Sequence, residues 1–207
     1  MIENIKPIDI EKRSFEIISE ILGDTPIDVE NELVIKRVIH TTADFDYVDN
    51  LVFSEHAVKK GIAALQSGCD IVTDTQMARS GINKTILGKL GGQVHCFMSD
   101  EDVAQEARSR GVTRAIVSME RAAKLDRPCI FAIGNAPTAL ISLHEQIKAG
   151  KLDPALIIGV PVGFVNVVES KEMIIASDVP HIVARGRKGG SNVAAAICNA
   201  MLYQIMR

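Results

Sequence analysis

The stretch PCIFAIGNAPTALISLHEQIKAG, Pro128 to Gly150, decides how the chain folds. Its opening, PCIFAIG, is apolar throughout and does not alternate, which suits a strand buried on both faces. Gly134 ends that run, and Asn135 to Thr138 open a helical pattern, with Pro137 where a missing N–H costs nothing. TALISLHEQIKAG then carries the helix. A buried strand that turns at once into a helix is the unit from which a parallel sheet wrapped in helices is built.

The same unit recurs on either side. The short apolar runs CDIVTD, QVHCFM, ALIIGVP and HIVARG alternate with helical stretches such as DEDVAQEARSRG and the terminal SNVAAAICNAMLYQIM. Strand and helix thus repeat about five times. The first third of the chain is different and mainly helical. One helix is expected up to Leu22 after Pro7, stopped by Gly23; a second is expected from a cap at Asp28 through VENELVIKRVIH, and a third from a cap at Ser54. The expected class is α/β: a three-layer α/β/α sandwich on a mainly parallel five-stranded sheet, with extra N-terminal helices. No repeat, low-complexity tract or Pro/Ser-rich linker marks a boundary, so residues 1–207 read as one domain. Open sheets of this kind bind ligands at the carboxyl ends of their strands.

Composition narrows the function. With 47% apolar residues the chain can bury a large core, and a net charge of −3 argues against bulk binding to nucleic acid or an anionic membrane. The start, MIENIKPIDIEK, lacks the apolar run of a signal peptide and the Arg/Ser character of a transit peptide, so a cytoplasmic protein is expected. No apolar stretch approaches the roughly 20 residues that span a bilayer. Cys69, Cys96, Cys129 and Cys198 are far apart and form no CxxC pair, so they read as reduced core residues. No metal-ligand spacing such as H-E-x-x-H occurs, and a site without metal or cofactor is the simplest reading.

Four stretches at expected strand ends are rich in small residues: TDTQMARSG, GNAPTAL, GVPVGFVNVVESK and RGRKGGS. In GNAPTAL the free amides that open the helix are suited to an anion. In RGRKGGS the cations Arg185, Arg187 and Lys188 surround a glycine-rich turn, where side chains and N–H groups can converge on one carboxylate or phosphate. Any one of these glycines is best read as a tight turn. Four such turns along one edge are more than that reading needs. Nucleotide binding fails on spacing, because GRKGGS is neither G-x-G-x-x-G nor a phosphate loop and follows the last strand.

The segment KRVIHTTADFDY adds a histidine. On a helix Arg37 and His40 share a face at i,i+3, and Asp44 joins them if the helix continues. From periodicity alone, a helix-end histidine bonded to a carbonyl is as good a reading as a catalytic one. His56, His95, His144 and His181 sit where structural histidines sit. Ser14 lacks a nucleophile turn and any His/Asp arrangement.

Together KRSFEII, RVIHTTADF, TDTQM, GNAPTAL, GVPVGFVNVVESK and RGRKGGS, in this order and spacing, resemble the precorrin-8X methylmutases (cobalt-precorrin-8 methylmutases) of cobalamin biosynthesis, nearly end to end. The resemblance implies a three-layer sandwich and a homodimer whose site lies near the subunit interface. It implies an isomerase that moves a methyl group from carbon 11 to carbon 12 of a corrinoid precursor without an external cofactor. The family's catalytic histidine falls on His40. By motif, contacts to the substrate's carboxylates fall on Ser14, Arg37, Arg185 and Arg187, with the backbone near Asn135, Thr138, Gly189, Gly190 and Ser191. Val162 to Val165 are expected against the flat ring, Asp74 and Met77 along the same edge, and Glu169 and Lys171 bracing the following helix. A corrinoid carrier that leaves its ligand unchanged would show the same fold and the same basic turns.

Overall fold

Cys129–Ile133 is a strand with every residue buried, and its side chains divide between two cores. Ile130 and Ala132 enter one apolar layer, while Cys129, Phe131 and Ile133 enter the other. That division explains the non-alternating sequence, since both faces of the pleat are covered.

The computed structural model describes residues 6–206. A 3-10 turn at Pro7–Asp9 leads into α1 (Ile10–Leu22), followed by α2 (Glu32–Thr42), α3 (Tyr47–Asn50), β1 (Leu51–Phe53) and α4 (Ala57–Gln66). Next come β2 (Asp70–Thr73), α5 (Gln76–Gly81), α6 (Lys84–Lys89), β3 (Val94–His95), α7 (Glu101–Arg110) and α8 (Arg114–Ala122). The chain continues through β4 (Cys129–Ile133), α9 (Pro137–Lys148), β5 (Leu156–Gly159), α10 (Val167–Ile175), β6 (His181–Ala184) and α11 (Ser191–Ile205).

The sheet order is β1-β6-β5-β4-β2-β3, with β2 to β6 parallel. Among the described residues the sheet has six strands, one more than expected. The addition is β1, which pairs antiparallel with β6 as Leu51 opposite Ala184 and Phe53 opposite Ile182. Three residues are too few to carry a period, so only the pairing reveals this strand. One core joins the sheet to α2, α4 and α11, and the other joins it to α8, α9 and α10. Phe131, Leu140 and Leu143 have no exposed surface in the second core; burying a side chain of that size is worth about 1.5–3 kcal/mol.

Several helix boundaries differ from expectation. Asp28 does not cap α2: its Oδ1 accepts from the Glu30 amide inside a turn, and the N-cap is Asn31. Ser54 does not cap α4: its hydroxyl accepts from the His181 amide and so ties the helix entry to β6, while His56 takes the cap position with φ 55. α2 stops at Thr42, because Ala43 adopts a left-handed φ of 53. Asp44 therefore does not continue the His40 face. In strand order the switch lies between β2 and β4, whose crossovers run to opposite sides, and a ligand crevice is expected outside their carboxyl ends.

Candidate active site

At that switch point the protein supplies its own anion. Asp74, with no exposed surface, follows β2, and its carboxylate accepts from the amides of Gly134 (2.9 Å), Asn135 (2.8 Å) and Ala136 (2.6 Å) at the entry of α9. Burial pushes the Asp74 carboxyl up from its ordinary pKa, and the three donors pull it back. The amides read from sequence as free for a ligand are thus already occupied, and the Asn135 side chain stands exposed beyond them.

The turn after β6 packs directly on this one. A Cβ on Gly134 would lie 2.7 Å from Cα of Ser191, so only glycine allows the two turns to meet. Ser191 Oγ lies 2.7 Å from Oγ1 of Thr75, the residue that caps α5 by accepting from Ala78 N–H. Gly190 N–H donates to Val160 O, and Gly163 N–H donates to Arg187 O, which joins the loop after β5 to the same cluster. The small-residue stretches after β2, β4, β5 and β6 are therefore one continuous surface at the carboxyl edge of the sheet. The loop after β5 lifts Val162, Phe164 and Val165 into solvent, with Phe164 84% exposed, and Met77 on α5 is 70% exposed. Together they leave exposed apolar side chains along this edge.

The three cations of RGRKGGS do not converge on one point. Arg185 is taken by Glu172, with Nε 2.9 Å from Oε1, which raises its pKa further. Lys188 donates to Asp44 Oδ2 and Asp46 Oδ2, each at 2.6 Å. Only Arg187 stands exposed with no described carboxylate within ion-pair range.

His40 lies in the last turn of α2, exposed, with its ring 5.5 Å from that of Phe15 and tilted by 30°. Arg37, one turn earlier, pairs with Glu11 at 2.5 Å and lies over the rings of Phe15 and Tyr203. Its charge is thus partly spent within the helical layer, in a pocket between α1, α2 and α11. Ser14 Oγ donates to Ile10 O of its own helix. Thr138 Oγ1 lies 3.0 Å from Oγ1 of Thr113.

Other groups are withdrawn from chemistry. The four cysteines are buried, and burial pushes the thiols of Cys69 and Cys129 up to about 12 and about 11. His95 is held 3.0 Å from Asp70, and His181 is bonded to Val179 O with its pKa lowered by burial. Among the described residues no cluster of three metal-binding side chains forms.

Comparison with known proteins identifies the chain. The family model for precorrin-8X methylmutase matches residues 9–204. The protein belongs to the precorrin-8X methylmutase family. It is 47% identical to the cobalt-precorrin-8 methylmutase of Salmonella typhimurium over 97% of this chain and 96% of that protein. It is 46% identical to the cobalt-precorrin-8 methylmutase of Priestia megaterium over 95% of this chain and 88% of that one. The crystal structure of precorrin-8X methyl mutase from Thermus thermophilus superposes with a TM-score of 0.85 at 38% identity, covering 94% of this chain and 96% of that chain. As a member of this family the protein is an enzyme.

Two features of this methylmutase-family site escape sequence reading. Arg114 opens α8, a helix not expected from the sequence, and is exposed beside the Thr113–Thr138 contact with no described carboxylate in ion-pair range. The signal was Thr113, whose side chain caps the helix by accepting from Ile116 N–H. The second is Lys171: expected to brace the following helix, it reaches the turn after β6 and donates to Gly186 O and Lys188 O, each at 2.8 Å.

Proposed function

We propose that the protein moves a methyl group from carbon 11 to carbon 12 of precorrin-8X or cobalt-precorrin-8, giving hydrogenobyrinate or cobyrinate, with His40 as the proton donor. The observation that carries this reading is the exposed His40 imidazole at the end of α2, in a chain matched over residues 9–204 by the methylmutase family model.

The chemistry asks little of the protein. A methyl group that migrates along a conjugated ring needs no nucleophile; the site has to hold one tautomer and favour charge redistribution in the macrocycle. A single positioned acid supplies about 10²- to 10⁴-fold, and fixed geometry supplies much of the rest. No external cofactor enters such a step. Arg187 and Arg114 are the cations left available for the substrate's carboxylates. Ser14, Arg37, Asn135, Thr138, Arg185, Gly189, Gly190 and Ser191 are the further residues expected to contact the substrate. Val162, Phe164, Val165 and Met77 cover the ring's flat face.

The enzyme works in the cytoplasm as a homodimer. Supporting this, no described helix is long and apolar enough to cross a membrane, and Ile10, Ile17 and Ile21 leave exposed apolar surface along α1 for a second copy. Sedimentation analysis tests the dimer.

The function is tested by incubating the protein with precorrin-8X and with cobalt-precorrin-8 and following the visible spectrum. Conversion is expected for the wild type and none for His40→Ala, which should still bind the pigment tightly. A spectrum that never changes with either substrate makes the protein a carrier; near-normal turnover by His40→Ala removes the acid assignment.

A further inference from the structure

Lys171 points from α10 into the interior and has no exposed surface; among the described residues its ammonium hydrogen-bonds only to backbone carbonyls, those of Gly186 and Lys188. Burial lowers its pKa to about 8. An ammonium buried without a carboxylate is a poor way to stabilise a fold. Its bonds instead define a shape. Both fall on the turn that carries Arg187, where Gly186 has φ +81 and Gly190 has φ +137, conformations that glycine adopts without strain but that leave the turn with few side chains of its own to fix its shape.

From the same turn, Lys188 reaches across to the other side of the site. Its ammonium is shared by Asp44 and Asp46, in the segment that leaves α2 at the left-handed Ala43, four residues or fewer beyond His40's helix turn. Neighbouring Asp44 has its pKa lowered by this contact. The contacts run without a break from α10 through Lys171 to the turn, and through Lys188 to the end of α2. An exposed ion pair adds little stability, yet one cation held by two carboxylates sets a distance.

We propose that Lys171 and Lys188 are positioning residues that hold the His40 end of α2 in register with the turn bearing Arg187, without touching the substrate. This rests on the reading of His40 as the proton donor. The brace explains why Lys188 is committed to protein carboxylates while Arg187, its neighbour on the turn, is not.

The test compares turnover of precorrin-8X with the dissociation constant of hydrogenobyrinate for the full-length wild type, Lys188→Met, Lys188→Arg, Lys171→Met and His40→Ala. Loss of alignment in Lys188→Met is expected to lower kcat by about 10-fold or more with product affinity within about 3-fold of wild type. Lys188→Arg, which keeps the ion pair, is expected to recover kcat, and Lys171→Met to behave as Lys188→Met does. Product affinity that falls in step with kcat would mean that Lys188 contacts substrate, and unchanged kcat would mean that the brace is idle; either overturns the proposal. If Lys171→Met does not fold, the Lys188 variants decide, because their ion pair is exposed. Near-normal turnover by His40→Ala brings down the acid and the brace together, whereas an inactive His40→Ala beside a fully active Lys188→Met brings down the brace alone.

Discussion

Oδ2 of Asp74 lies 2.6 Å from the amide nitrogen of Ala136 and 2.8 Å from that of Asn135. A side chain from the end of β2 thus fills the helix-entry anion site at the end of β4. The two strands flank the switch point, so these three amides are already taken, and Arg187, without a described carboxylate in ion-pair range, lies farther along the edge after β6.

Replacing Asp74 by Asn keeps the size and one acceptor oxygen but turns an NH2 donor toward the Gly134 amide or toward those of Asn135 and Ala136. The expected cost is about 2 kcal/mol or more, because a buried N–H loses its acceptor. Urea unfolding measures it, and a cost under about 0.5 kcal/mol, typical of surface changes, would contradict the role.

Gly134→Ala tests the contact between the two turns. The added Cβ would lie 2.7 Å from Cα and 2.8 Å from N of Ser191, both backbone atoms that cannot swing aside. A destabilisation of about 1–3 kcal/mol is expected, with loss of turnover in the folded fraction as Ser191 leaves Thr75. Thermal melts and initial rates read the two effects separately.

Arg187 and Arg185 are adjacent in motif but not in availability. Arg187→Ala is expected to weaken product binding by about 1.5–3 kcal/mol, the range for a hydrogen bond to a charged group. Arg185→Ala loses mainly an exposed pair with Glu172, expected at about 0–1 kcal/mol of stability, and little binding. Equilibrium titration with hydrogenobyrinate ranks them; equal losses would show that Glu172 releases Arg185 to the ligand.

Lys171 makes stability depend on pH in a direction opposite to that of a paired lysine. Its pKa is lowered from 10.5 to about 8 in the folded protein, so between those values the unfolded chain keeps a proton that the folded chain has shed. Stability from this group therefore rises as pH increases from about 8 to 10.5 and is lowest below 8, by roughly 3 kcal/mol over the window. The neutral amine still donates to both carbonyls. Urea unfolding of wild type and Lys171→Met at pH 7.5 and pH 10 should show wild type gaining stability relative to the variant as pH rises; a difference that does not change with pH contradicts it.

Much of the fold is legible along the chain. CDIVTD, QVHCFM, PCIFAIG, ALIIGVP and HIVARG all become strands, because a run apolar on both faces has few other places to go. Pro137 begins α9 as its ring geometry requires. β1 was not legible, since three residues gain strand geometry only from their partner β6. Asp28 and Ser54 look like helix caps by residue type, yet each bonds elsewhere, and residue type does not say which nearby N–H is unclaimed.

The amino-acid sequence by itself determined the alternation of buried strands and helices, the turns that only glycine allows, and a histidine on the last turn of a helix. These follow from backbone preferences and side-chain periods that act over a few residues. Tertiary structure alone decided which charges are free. Lys188 finds Asp44 across 144 positions, Arg185 finds Glu172, and Asp74 claims three amides 60 to 62 residues away, leaving Arg187 open. Charge pairing depends on distance through space and on burial, which spacing along the chain does not contain.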